Sequence, residues 1–363
     1  MIAVHGGAGL FREGIEQFCA TALKDDGLGK AGNNLTSSDE IEVGNRLVKA
    51  IMKLEKCSKF NCGYGSNLTE AGTVECEGAF ICSENLAFGG VASVTNCAHP
   101  IYAAHKLSMS HKSNSEENGL IKPIVLVGKG ANQYCEALNV GIVLNENLRT
   151  ERAKRDRNLA INRVFNNEQN ESSTNNISRL DTTGGVFIDE NGYCEAGVSS
   201  GGILLKKEGR LGHSTQFRAA IWAEKRENVS IAISLSGCGE TLIRTRMAEI
   251  IAEFFFSKFI SFELLEKFFL IFSDLDDLFL PEKIKNFLEG ESFLKSKRLQ
   301  TFPVSYLLLG GIAAVQSNKI STLYAFHNSA HFPIAFKGLD QKIRKFNSKN
   351  ERVGNFVCNS FIL

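Results

Sequence analysis

A threonine with a free α-amino group can act as its own base. The hydroxyl supplies the nucleophile, and an amine with a pKa of about 7.7 to 8.0 can take its proton. Thr182 is placed for that chemistry, because it follows the polar stretch NNEQNESSTNNIS and opens an apolar run, GGVFI. Breaking the Asp181–Thr182 bond would leave a new N-terminus at a strand end, held there by a sheet. In the intact chain the same hydroxyl can attack the preceding carbonyl, giving an ester by an N-to-O shift that water then hydrolyses. The Gly184–Gly185 pair leaves room for the tight backbone such an attack needs. Taken alone, DTTGG reads as readily as a plain junction between a loop and a strand.

Its companions shift the balance. Ser200 comes eighteen residues later in VSSGG, where it could orient Thr182 by hydrogen bonding. Arg210 stands near glycines in GRLGH, and a guanidinium suits a bidentate grip on a carboxylate. Ser236 and Gly237 in SGCGE offer a hydroxyl and a backbone N–H to a developing oxyanion. Singly these read as a turn serine, a surface arginine and a strand-to-helix glycine turn. Jointly they form one acyl-transfer constellation.

The elements that must position these residues follow from the apolar pattern. Residues 2–4 form a short strand running into HGGAG, and a helix is expected from about Asp39 to Lys56. Ser37 and Glu40 suggest a capping box for it, and Ile41, Leu47, Val48, Ile51 and Leu54 share one face. Short strands and turns fill NCGYGSNLTEAGTVECEGAFICSENLAFGGVASV, Pro100 opens a helix, and IKPIVLVG reads as a buried strand. Residues 149–180 are read as a flexible segment before the cut, basic and helical at its start. Two strand-like runs then flank Asp189-Glu190-Asn191-Gly192, a hairpin turn signal. VSIAISLSGCGE leads from a strand into a helix from Glu240 to about Phe256, and Phe-rich helices follow to about residue 299. LLLGGIAAVQ and STLYAFHN read as a closing pair of strands. Strand-rich, helical and again strand-rich, the chain suits an α+β fold, two sheets sandwiched between helical layers.

Bulk properties exclude several classes. With 43% apolar residues the chain can fill a core, and its net charge of +1 speaks against a main role in binding nucleic acid or a membrane surface. The start has no basic and apolar leader, and the most apolar stretch carries Glu253, Lys258, Glu263, Glu266 and Lys267, which hydrocarbon would penalise. The ten cysteines show no CxxC pairing and the seven histidines no HExxH grouping, so no metal or other cofactor is expected, and without an export signal reduced thiols are expected. The basic run Arg149, Arg152, Lys154, Arg155 and Arg157 could serve nuclear import or be a solvated helix face.

MIAVHGGAG, NCGYGSNLTEAGTVEC, LDTTGGVFIDENGYCEAGVSSGGILLKKEGRLGH and SLSGCGE resemble, in order, the motifs of the type 2 asparaginase family of N-terminal-nucleophile hydrolases. That family holds plant-type asparaginases/isoaspartyl peptidases, glycosylasparaginases and threonine aspartases. LDT before the nucleophile, VSSGG, SGCGE, and GSNL followed by VEC most resemble the threonine aspartase branch. The resemblance implies an αββα sandwich, one domain over 1–363, and self-cleavage into residues 1–181 and 182–363. It also implies αβ units paired as a dimer, and an endopeptidase cutting after Asp in nuclear regulatory proteins, placed in the nucleus or cytoplasm. By position, Thr182 is the nucleophile, Ser200 supports it, and Ser236 with Gly237 forms the oxyanion site. Arg210, His213 and Gly239 fall in the substrate pocket, and Asp181 precedes the cut bond. His213 stands where amino-acid-cleaving members have an Asp that grips a free α-amino group, which favours cutting inside a chain. Thr183 replaces the usual Val or Ile and is a competing candidate nucleophile, while Glu77 and Gly78 replace Asp-Ala. The alternative implied by the resemblance is a plant-type asparaginase/isoaspartyl peptidase, and another class is a non-catalytic scaffold.

Overall fold

Strands covered on both faces need residues that are apolar or small, and CEGAFIC, FGGVASV and CEAGVSS meet that demand at every position except Glu77 and Glu195. The computed structural model describes residues 1–9, 14–24, 44–111, 120–139, 141–165, 182–266, 280–289, 308–353 and 355–363. In chain order the first half is β1 (Ile2–His5), α1 (Ile15–Ala22), α2 (Arg46–Glu55), β2 (Cys76–Cys82), β3 (Phe88–Val94), α3 (Pro100–Ser110), β4 (Val125–Val127), α4 (Lys129–Leu138) and α5 (Glu151–Phe165). The second half opens with β5 (Thr183–Ile188), β6 (Cys194–Ser200), β7 (Ile221–Arg226) and β8 (Val229–Gly237). It continues with α6 (Gly239–Thr245), α7 (Met247–Glu266), α8 (Leu280–Glu289), β9 (Leu309–Ser317), β10 (Ile320–His327), β11 (His331–Lys337), β12 (Ile343–Lys349) and β13 (Val357–Ile362).

Two sheets result. The larger runs β12-β11-β1-β5-β6-β2-β3-β4, and the smaller runs β13-β10-β9-β8-β7. Between them lies a layer of small and branched side chains, among them Ala3, Ile81, Val186 and Val198 facing Ala223, Ala232, Ile312 and Leu323. On the outer face of the larger sheet, Leu47, Val48 and Ile51 of α2 and Ile101 and Leu107 of α3 pack with Val4, Phe80 and Val91. On the outer face of the smaller sheet, Met247, Ile251 and Phe255 of α7 and Ile284 of α8 pack with Ile231, Ile233, Val315 and Tyr324. Three apolar layers separate four layers of secondary structure, an αββα sandwich of the N-terminal-nucleophile hydrolase type. Burying each such large apolar side chain contributes roughly 1.5 to 3 kcal/mol, so the layers hold the strand ends in place.

Several expectations are corrected. The helix expected from Asp39 begins at Arg46, capped by Asn45, whose side chain accepts the Val48 N–H at 2.9 Å; Ser37 and Glu40 lie outside the described residues. Asparagine is as good a cap as serine, and it stands next to the apolar face. Residues 151–165 are helix α5, in line with the helical start read for the segment 149–180; residues 166–181, Asp181 included, lie outside the described residues. Arg152 donates to the carbonyl of Gly65, and Arg157 to those of Thr69 and Glu70. Arg149 donates to Asn145 at 3.1 Å. Arg152 and Arg157 of the basic run therefore tie α5 to the rest of the fold. Strand β4 is the sheet's edge, and Val127 there is 45% exposed, so IKPIVLVG is not a buried strand. Arg246, at φ 52°, breaks the helix expected over 240–256 into α6 and α7. The pair β9 and β10 does not close the chain, because β11, β12 and β13 follow.

Candidate active site

Thr182 stands immediately before β5, whose neighbours β1 and β6 fix it on both sides. Strand β8 of the second sheet carries Ser234, Ser236 and Gly237 beneath it. Gly184 permits this closeness. A Cβ there would lie 2.2 Å from Ser234 Oγ and 2.7 Å from the Gly197 carbonyl, so any side chain would push the sheets apart. The glycine pair thus serves contact between elements rather than a tight turn; neither residue has positive φ.

The Thr182 N–H donates to Ser236 Oγ at 3.2 Å, and the Ala8 N–H of the HGGAG segment donates to the same oxygen at 3.0 Å. Thr182 Oγ1 donates to Ser200 Oγ at 3.2 Å, and Ser200 Oγ accepts the Gly202 N–H at 3.0 Å. The nitrogen and the hydroxyl of one residue are each held by a different serine. Thr183 sits otherwise, fully buried with its hydroxyl donated to the Ser199 carbonyl at 3.2 Å.

Thr182, Ser200, Arg210, His213, Gly237 and Gly239 converge on one small cavity, which Asn61, Gly202, Ile203 and Gly212 also line. The free volume is about 10 Å³, room for a single water. Ser236 is fully buried behind Thr182 and does not line this wall, so its hydroxyl serves the Thr182 nitrogen; Gly237 is the member of the pair that faces the cavity. Asn61 was not singled out from the sequence, although it opens the quoted NCGYGSN motif. Its Oδ1 accepts the Asn67 N–H at 2.8 Å and its Nδ2 donates to the Gly202 carbonyl at 2.7 Å, locking that loop to the one after Ser200. A larger open cleft of about 760 Å³, lined by Glu75, Ser93, Asn96, Lys129 and Gly209 among others, shares none of the catalytic constellation.

Charge is concentrated around Arg210. Its Nε and Nη2 both donate to Glu240 Oε1, at 2.9 and 2.6 Å. Fully buried Glu77 accepts the Gly212 N–H at 2.7 Å, its Oε1 lies 4.0 Å from Lys206 Nζ, and burial raises its pKa despite those cations. His213 is buried, and burial together with the Arg210 charge pushes its pKa down to about 4, so it is a neutral imidazole near pH 7. His5, whose Nε2 meets Ser234 Oγ at 2.9 Å, is pushed down to about 3 by burial and by His213. The arrangement offers a threonine whose backbone nitrogen and hydroxyl are both positioned, beside a fixed cation suited to a carboxylate.

Comparison with known proteins agrees with this constellation. A family model described as asparaginase matches residues 1–256. The chain is 29% identical over 257 residues to the isoaspartyl peptidase/L-asparaginase of Xenopus laevis, covering 69% of this chain and 74% of that one. It is 28% identical over 257 residues to the isoaspartyl peptidase of Salmonella typhimurium, covering 69% and 77%. Over a shorter stretch of 201 residues it is 30% identical to the human isoaspartyl peptidase/L-asparaginase, covering 55% and 59%. The chain belongs to the type 2 asparaginase family of N-terminal-nucleophile hydrolases.

Proposed function

We propose that this chain is a precursor that cuts itself between Asp181 and Thr182 and then hydrolyses an amide bond on an aspartyl-type substrate. The observation that carries the proposal is the split hold on Thr182, nitrogen on Ser236 and hydroxyl on Ser200, beside the cation Arg210. In self-cleavage, Thr182 Oγ1 bonds to the Asp181 carbonyl carbon, the C–N bond breaks, and the nitrogen takes the hydroxyl proton. Water hydrolyses the resulting ester to the Asp181 carboxylate and the Thr182 hydroxyl, which then stands beside the amine freed by the shift. In turnover the amine takes the proton as the hydroxyl attacks the substrate carbonyl, and the leaving amine carries that proton away. A second water, deprotonated by the same amine, releases the acyl group. The Gly237 backbone lies in the wall where the oxyanion develops.

On substrate size, the relatives favour the isoaspartyl peptidase/L-asparaginase reading over the threonine aspartase reading suggested by the motifs. One observation keeps the protease reading as a second. Within the cavity wall no Asp or Glu is present to grip a free α-ammonium group, and His213 is neutral there. Incubating the self-cleaved protein with asparagine, an isoaspartyl dipeptide and an internal Asp-containing peptide separates the two. Release of aspartate from either small substrate supports the first. Cleavage of the peptide alone, after Asp, supports the second.

A further inference from the structure

The cation offered to a substrate already holds a carboxylate. Two nitrogens of Arg210 converge on one oxygen of Glu240, and Arg210 lines a cavity with room for a single water. The guanidinium cannot move far. A Cβ on Gly239 would lie 2.9 Å from Arg210 Nη2, and one on Gly212 would lie 3.2 Å from Nη1 and 3.0 Å from Glu77 Oε2, so backbone and a second carboxylate flank it. The Arg210 side chain is only 16% exposed, whereas that of Glu240 is 40% exposed and can swing into water. Burial opposes ionisation of Glu240, but its hydrogen bonds to Arg210 outweigh that and hold its pKa below the ordinary carboxylate range. It is an anion near neutral pH.

We propose that Glu240 is an internal competitor for the substrate. Its carboxylate occupies the seat on Arg210 in the free protein, and an incoming carboxylate binds only by displacing it into solvent. The inference rests on the reading of Arg210 as the carboxylate-binding residue, and it holds for a small substrate or a polypeptide alike. Its consequence is selectivity. A ligand without a carboxylate leaves the Arg210–Glu240 pair closed, so discrimination arises from an element that opposes binding as well as one that favours it. The seat is also available for only a fraction of the time, which weakens apparent affinity by that fraction. Glu240 acts through Arg210 and is a positioning residue, not a catalytic one.

The test is Glu240→Gln, which removes the charge and keeps the bulk. In the self-cleaved enzyme KM for a carboxylate-bearing substrate should fall about two- to five-fold, the worth of a half-exposed ion pair, with kcat changed less than about two-fold. Calorimetry of the Thr182→Ala chain should show succinate, used as the probe dicarboxylate, binding more tightly by the same factor when Glu240→Gln is added. Arg210→Ala should abolish the gain. If Glu240 only holds Arg210 in place, Glu240→Gln will raise KM or weaken succinate binding, and either result, or no change, overturns the proposal. Should that variant fail to melt cooperatively, Glu240→Asp, which keeps the charge and retracts it by one methylene, is read by the same criteria. Failure of every hydrolysis assay would count against the proposed function alone, because succinate binding decides this inference without turnover.

Discussion

At the scale of single residues the proposed chemistry turns on which serine holds which atom of Thr182. Ser200 touches the hydroxyl and Ser236 the nitrogen, so removing them should have different consequences. Ser200→Ala takes away the hydrogen bond that aims the proposed nucleophile. A lost bond of this kind is worth about 1 to 3 kcal/mol, so kcat should fall roughly ten- to a hundred-fold in the self-cleaved enzyme while the melting temperature moves little. An unchanged kcat in steady-state assays would remove Ser200 from the mechanism. Most of these side chains were recognisable from type and spacing alone: a hydroxyl opening a strand, a serine across the hairpin, an arginine among glycines. Their division of labour was not, because it depends on β8 passing beneath β5, a contact between residues 54 positions apart. The same holds for Glu240. It follows the SGCGE glycines in plain view, yet its partner Arg210 is thirty residues earlier, and only the folded chain brings the two together.

At the scale of elements, hairpin β5–β6 was legible because DENG supplies a turn between two runs of small and apolar residues. Asp189 Oδ1 accepts the Asn191 and Tyr193 N–H groups at 2.9 and 2.8 Å, the local bonding such a turn demands. Strand β7 was missed, since IWAEKR is short and ends in charge; those charges fit because β7 is an edge, where Arg226 pairs with Glu224. Strand β11 was missed as well, and Pro333 within HFPIAFK argues against a strand by local rules. The Gly184 contact is testable by substitution. Gly184→Ala places a methyl against Ser234 and the Gly197 carbonyl, and should cost about 1 to 3 kcal/mol in chemical denaturation through overpacking. It should also slow self-cleavage on a denaturing gel, because it moves the strand that carries Thr182. Wild-type stability together with wild-type processing would show that the two sheets do not meet as closely as described.

At the scale of the whole molecule, the sandwich buries three histidines that cannot easily take a proton. Burial is the leading cause for each, lowering His5 to about 3 and His213 and His327 to about 4. The unfolded chain protonates them near their ordinary value of about 6.5, so it binds more protons than the folded chain below that pH. Their sign is therefore destabilising as pH falls from about 6.5 towards 4, and they contribute nothing above that window. His327→Gln should remove up to one proton from the linkage. The slope of unfolding free energy against pH between 6 and 4.5 should then shrink by as much as about 1.4 kcal/mol per pH unit. Equal slopes for variant and wild type would mean that His327 is not buried as a neutral ring.

On the proposed reading, the layered architecture holds Thr182 at the end of a strand paired on both sides. Intact mass spectrometry and N-terminal sequencing of purified protein, alongside the Thr182→Ala variant, test that claim most directly. Two fragments are predicted for the wild type, the second beginning with Thr182, and a single uncut chain for the variant. A fragment beginning at Thr183, or a Thr182→Ala chain that still divides at this bond, would contradict the account.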